Sequence, residues 1–126
     1  MAKRVDIGLL TEPIEMRYKN VRVAIEQYTA VDSKKHHGLV VEVSDKGESV
    51  TYNAWTFEQH LPHLISLKDD EEGKKRLDTF ADLFFGEAEK ELMEEHNYML
   101  EPEIKGAIKA VLAKYRDKFF GEIFAS

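Results

Sequence analysis

Four histidines are the side chains best suited to bind a metal ion or carry a proton. His36-His37 stands in the run DSKKHHG, and His60-Leu61-Pro62-His63 sets two imidazoles three residues apart where a helix is expected to begin. Together they would form a three- or four-histidine site, the basis of a metal-dependent enzyme. The sequence has no HExxH, no cysteine ligand and no carboxylate at a diagnostic spacing to support it. Solvated or core-edge histidines are the simpler expectation, and no cofactor is implied.

The second constellation is basic. Arg17 and Arg22 fall opposite each other in an expected hairpin, with Lys19 in its loop and Arg4 on a neighbouring strand. Opposed like charges are unfavourable, so an anionic partner would relieve them, and Tyr28, Tyr52 and Trp55 could supply stacking. This reads as a pocket for a nucleotide or other anionic small molecule, or a patch for single-stranded nucleic acid. The competing reading is a solvent-facing strand with salt bridges to Glu15 and Glu26. No serine elbow of the GxSxG type, no GxGxxG and no Walker pattern occurs, so nucleophilic hydrolysis and phosphate-loop chemistry have no signature here. Glu87, Glu89, Glu91, Glu94, Glu95, Glu101 and Glu103 form an acidic region that suits either solvation or a basic partner.

Composition bounds what these residues can belong to. A chain of 126 residues with 43% hydrophobic and 33% charged content fits one soluble domain with a real core. No apolar run is long enough for a membrane helix, and Asp6 interrupts the only stretch resembling a signal peptide. The absence of cysteine removes disulfides and thiolate chemistry, and the cytoplasm is the expected location. Residues 61–126 carry 10 basic against 15 acidic residues, so most of the net charge of −6 lies in the second half. That balance argues against double-stranded nucleic acid as a partner.

The elements that must position these residues follow from hydrophobic periodicity. Ile14, Met16 and Tyr18 alternate with polar residues, as do Val21, Val23 and Ile25, with the parity flipping across Lys19-Asn20. A two-residue loop there would pair Tyr18 with Val21, Met16 with Val23 and Ile14 with Ile25, and a bulge in one long strand is the competitor. Leu39, Val41 and Val43 lead through the turn-rich SDKGE to Val50, Tyr52 and Ala54, with Ser44 opposite Ser49. Val5, Ile7 and Leu9 suggest a further strand. The expectation is an antiparallel sheet of four or five strands over about residues 3–55.

After Trp55 the period becomes helical. Thr56-Phe57-Glu58-Gln59 has the form of a capping box for a short helix over about 57–67, interrupted by Pro62. Leu77, Ala81, Phe84, Ala88, Leu92 and Met99 form one stripe, predicting a single long helix over about 70–99 that runs through Gly86. Glu101-Pro102 ends it, and Ile104, Ile108, Val111, Tyr115 and Phe119 predict a second helix over about 102–121. The fold class is therefore α+β in one domain, a sheet followed by a short helix and a long αα-hairpin.

The tetrapeptide FFGE occurs as Phe84-Phe85-Gly86-Glu87 and again as Phe119-Phe120-Gly121-Glu122. A hairpin folding at Pro102 would set Phe84 level with Phe119, with the glycines permitting close approach of the helices. Phe85, Phe120 and Phe124 then become candidates for an oligomer interface. Without a catalytic constellation, the leading expectation is a non-enzymatic module that acts through protein–protein contacts as a homo-oligomer. The anionic-ligand pocket and the histidine metal site are the alternatives.

Overall fold

A computed structural model describes residue 10 and residues 12–29, 35–54 and 57–119. The strands β1 (Ile14–Tyr18), β2 (Val21–Thr29), β3 (Lys35–Asp45) and β4 (Glu48–Asn53) form a four-stranded antiparallel sheet in the order β1-β2-β3-β4. The helices α1 (Phe57–Ile65), α2 (Glu71–His96) and α3 (Ile104–Phe119) follow. The expected α+β architecture with its helical hairpin is the one observed. The proposed strand of Val5, Ile7 and Leu9 lies outside the described residues, as does Thr56 of the proposed capping box.

The hairpin registers follow the hydrophobic alternation. Tyr18 pairs with Val21, Met16 with Val23 and Ile14 with Ile25 around Lys19-Asn20, so the bulge alternative is not what forms. Lys19 takes a φ of 53°, a region costly for a residue with a Cβ, while Asn20 donates through Nδ2 to the Ser44 carbonyl at 2.7 Å and anchors the turn to the next hairpin. In the second hairpin Ser44 pairs with Ser49, and the loop shortens to Lys46-Gly47 with φ of 53° and 81°. Positive φ at both central positions is the hairpin turn whose twist matches the strands.

Alternation also decides which face is covered. Val21, Val23, Ile25, Leu39, Val41, Val43 and Tyr52 are buried on one side, where α3 packs against β1 and β2, α1 against β3 and α2 against β4. Burying each aliphatic side chain among them contributes about 1.5–3 kcal/mol. The opposite side carries Glu15, Arg17, Arg22, Glu26, Glu42 and Thr51.

Asp70 caps α2 by accepting the Gly73 N–H at 2.8 Å, and Asn97 closes it in the left-handed region at φ 51°. A Cβ at Gly73 would lie 1.8 Å from the Lys68 carbonyl oxygen, so only glycine lets the incoming chain cross this first turn. Leu77, Ala81, Phe84, Ala88 and Leu92 are buried as the stripe predicts. Met99 is a correction: the helix ends three residues earlier, leaving Met99 75% exposed and placing Leu100 in the core instead. All five stripe residues of α3 are buried.

The alignment of α2 with α3 differs from the one expected. Lys105, the second residue of α3, reaches Asp82 at 2.5 Å and Asp78 at 3.6 Å, and Lys109 reaches Asp78 at 3.3 Å. Phe84 is therefore level with the start of α3, not with Phe119 at its end. Phe84 packs on Phe57 (ring centroids 5.9 Å apart), whereas Phe119 packs on Tyr115 (4.7 Å). Nor does Gly86 serve close packing, since nothing lies within 4 Å of where its Cβ would be. The segment between the helices uses several residues to run back along α2 before α3 begins, so a turn centred on Pro102 overestimates the overlap.

Candidate functional site

β3 outruns its partner at one end. β4 stops at Asn53, the last rung is the Ala54 N–H donating to the Leu39 carbonyl at 2.9 Å, and β3 continues back to Lys35. The backbone of His37 faces the side β4 has vacated. Glu58, in the first turn of α1, fills that role: Oε1 accepts the His37 N–H at 3.1 Å, and its two oxygens lie 2.8 and 2.9 Å from His36 Nδ1. One carboxylate thus caps an exposed strand edge and ties the helix to the sheet.

A pocket of about 420 Å³ opens at this end, lined by residues of β2, β3, the end of β4 and the first turn of α1. Its inner wall is built from His37, Leu39, Ala54 and Phe57, all buried. Tyr28, Glu26, Glu58 and Asn53 form the solvent side. Tyr28 is 50% exposed, and its ring stacks on His36 with centroids 5.6 Å apart and planes at 24°. Gly38 permits this, because a Cβ there would stand 3.0 Å from Tyr28 Cε1.

His37 belongs to the wall rather than to solvent chemistry. Its Nδ1 lies 2.6 Å from the Tyr115 hydroxyl, and its ring meets Tyr115 edge-on and Phe119 at 5.4 Å. Burial pushes its pKa below the usual histidine value; the nearby Glu58 carboxylate opposes that shift and His36 adds to it. His60 packs beside the rings of Phe80 and Phe84. His63 is exposed and borders a shallow hollow of about 180 Å³ with Leu67, Arg76, Thr79 and Phe80. Among the described residues no group of three or more His, Cys, Asp or Glu side chains is placed to hold a metal ion.

The structure also separates the residues of the expected basic pocket. Arg17 and Arg22 are opposed on the outer sheet face as predicted, but Arg22 donates to Glu15 and, at 3.1 Å, to Glu26. The salt-bridged strand is the arrangement found. Lys19 pairs with Glu101 at 3.2 Å. Tyr52 is on the inner face, 3% exposed, with its hydroxyl donating to Glu87 Oε2 at 2.6 Å; burial, then this bond, raises its pKa. Tyr28 sits toward the opposite end of β2 from Arg22. Arg4, Trp55, Phe120 and Phe124 lie outside the described residues, and Phe85 is half-buried against the core.

Sequence reasoning misses Glu26, Gly38, Asn53 and Glu58 as site residues. Glu58 carries a signal, its place in the first turn after a strand, but that signal points to helix capping. No helix among the described residues is long and apolar enough to cross a membrane. No known family model matches the chain, and no curated protein or solved structure does so either.

Proposed function

We propose that the protein is a small-molecule-binding module whose ligand occupies the pocket between the ends of β2 and β3 and the first turn of α1. The observation that carries this reading is the pocket itself: about 420 Å³, apolar within and bordered by a few polar groups. That volume is in the range of small-ligand sites, and the mixture of an apolar wall with sparse oriented polar groups is what such sites need. Glu58 and Tyr28 are held by bonds and stacking within the fold, so a ligand would meet a preformed surface. The test is a panel of small aromatic alcohols, acids and amines followed by backbone-amide NMR. Shifts centred on Tyr28, Gly38 and Asn53, lost in Ala54→Leu, are expected; shifts centred elsewhere would refute the assignment.

Protein contact remains a second reading on a separate observation. Leu83 and Met93 are each 39% exposed on the solvent side of α2, either side of the uncovered Gly86, with Glu89 and Glu94 beside them. Two exposed apolar side chains with acidic neighbours, separated by Lys90, suit a basic amphipathic partner. Sedimentation of the wild type and Leu83→Glu tests whether that surface instead joins two copies: an unchanged mass excludes self-association there.

A further inference from the structure

We propose that the pocket selects an organic cation, an ammonium group on a compact apolar or aromatic body; this rests on the reading of the pocket as a ligand site. Two carboxylates, Glu26 and Glu58, line it, and none of its described lining residues is lysine or arginine. The guanidinium of Arg22, four residues before Glu26 on β2, is engaged by Glu15 and by Oε2 of Glu26 on the outer sheet face. Glu58 is fixed by His36 and by the His37 N–H, so its carboxylate is oriented before any ligand arrives.

Two further features fit a cation. The ring of Tyr28, half-exposed and stacked on His36, lines the same pocket as the two carboxylates, and cations are attracted to aromatic rings. Behind the polar groups, Leu39, Ala54 and Phe57 offer apolar wall for the body of the ligand. A carboxylate, an aromatic face and an apolar wall together discriminate by charge at one end and by shape at the other. An anion would instead meet two carboxylates whose described cationic or imidazole partners, Arg22 and His36, are already engaged by them, the reverse of what the arginines of β1 and β2 suggest in the sequence.

The experiment compares three probes of similar size and different charge: phenethylammonium, 2-phenylethanol and phenylacetate. Their binding is followed through the backbone amides of Tyr28, Gly38 and Asn53. Phenethylammonium is expected to bind about tenfold more tightly than the alcohol, equivalent to about 1.4 kcal/mol, and phenylacetate least. Glu58→Gln keeps an acceptor for the His37 N–H and is expected to erase the preference for the cation while retaining alcohol binding. Should that variant fail to fold, Glu26→Gln and Tyr28→Leu are expected to narrow the same preference. Equal binding of ammonium and alcohol, or tightest binding of phenylacetate, would overturn the cation assignment while leaving the pocket standing. Absence of shifts at these amides with all three probes at millimolar concentration would overturn the pocket as well.

Discussion

Two glycines of one helix should respond to the same substitution with opposite signs. Gly86 lies in the middle of α2 with nothing within 4 Å of the position a Cβ would take, so alanine there introduces no clash. The gain is the intrinsic helix preference of alanine over glycine, about 1 kcal/mol, because the unfolded chain loses conformational freedom. Gly73 is three residues past the cap of the same helix, where a methyl carbon would stand 1.8 Å from the Lys68 carbonyl oxygen. Ordinary contact needs nearly twice that separation, so the chain entering α2 must shift and the Asp70 cap bond is put at risk. The loss should exceed the roughly 1 kcal/mol of the cap alone. Urea unfolding of Gly86→Ala and Gly73→Ala beside the wild type measures both. A rise of about 1 kcal/mol, or about 3–6 °C in Tm, is expected for the first and a clear fall for the second. Destabilisation by Gly86→Ala would refute the open environment assigned to that face of α2, and a neutral Gly73→Ala would refute the crossing at Lys68.

The other predictions concern polar groups and one turn. Tyr52→Phe removes the 2.6 Å bond to Glu87 and should lower stability by about 1.5–3 kcal/mol, the range for hydrogen bonds to charged groups, as read by denaturant midpoint. His37 has a depressed pKa in the fold and an ordinary value near 6.5 when unfolded, so the unfolded state takes up the proton first as pH falls. The stabilising effect of a neutral His37 should be complete above the unfolded value and be lost as pH falls below it toward the folded pKa; a stability profile for His37→Gln that keeps the wild-type slope in this window would disprove the link. Lys19→Gly relieves a residue at φ 53° and gives up an exposed ion pair with Glu101 and an exposed cation–π contact with Tyr18, so a small net rise in Tm is expected in thermal melts, and a fall would contradict the strain assigned to this turn.

Glu58 and Arg22 show why the site is harder to read than the fold. The sequence identifies Arg17 and Arg22 as opposed, and they are, because register follows from alternation and turn length. It offers both an anionic ligand and salt bridges to Glu15 and Glu26 for these arginines, and cannot decide between them because side-chain choice depends on all neighbours at once; for Arg22 the salt bridges are what forms. Glu58 stands in the first turn of α1, and its relation to His36 and His37 exists only after the helix has folded back over the end of β3. Pairing between residues so far apart in the chain leaves no local period to detect.

The chain alone therefore determined the elements with local signatures: both hairpin registers, the buried stripes of α2 and α3, and the α+β class. Those features depend on residues close in sequence and on periods of two and 3.6. Tertiary structure decided how far α3 slides along α2, which separated Phe84 from Phe119, and how Tyr28, Gly38 and Glu58 converge on one pocket. The sliding is seen in ion pairs such as Lys105 with Asp82, and it follows from which parts of the two buried stripes meet and from the return path of the interhelical segment. The pocket is set by where β4 stops while β3 continues, a mismatch of strand lengths that matters only once the strands are side by side.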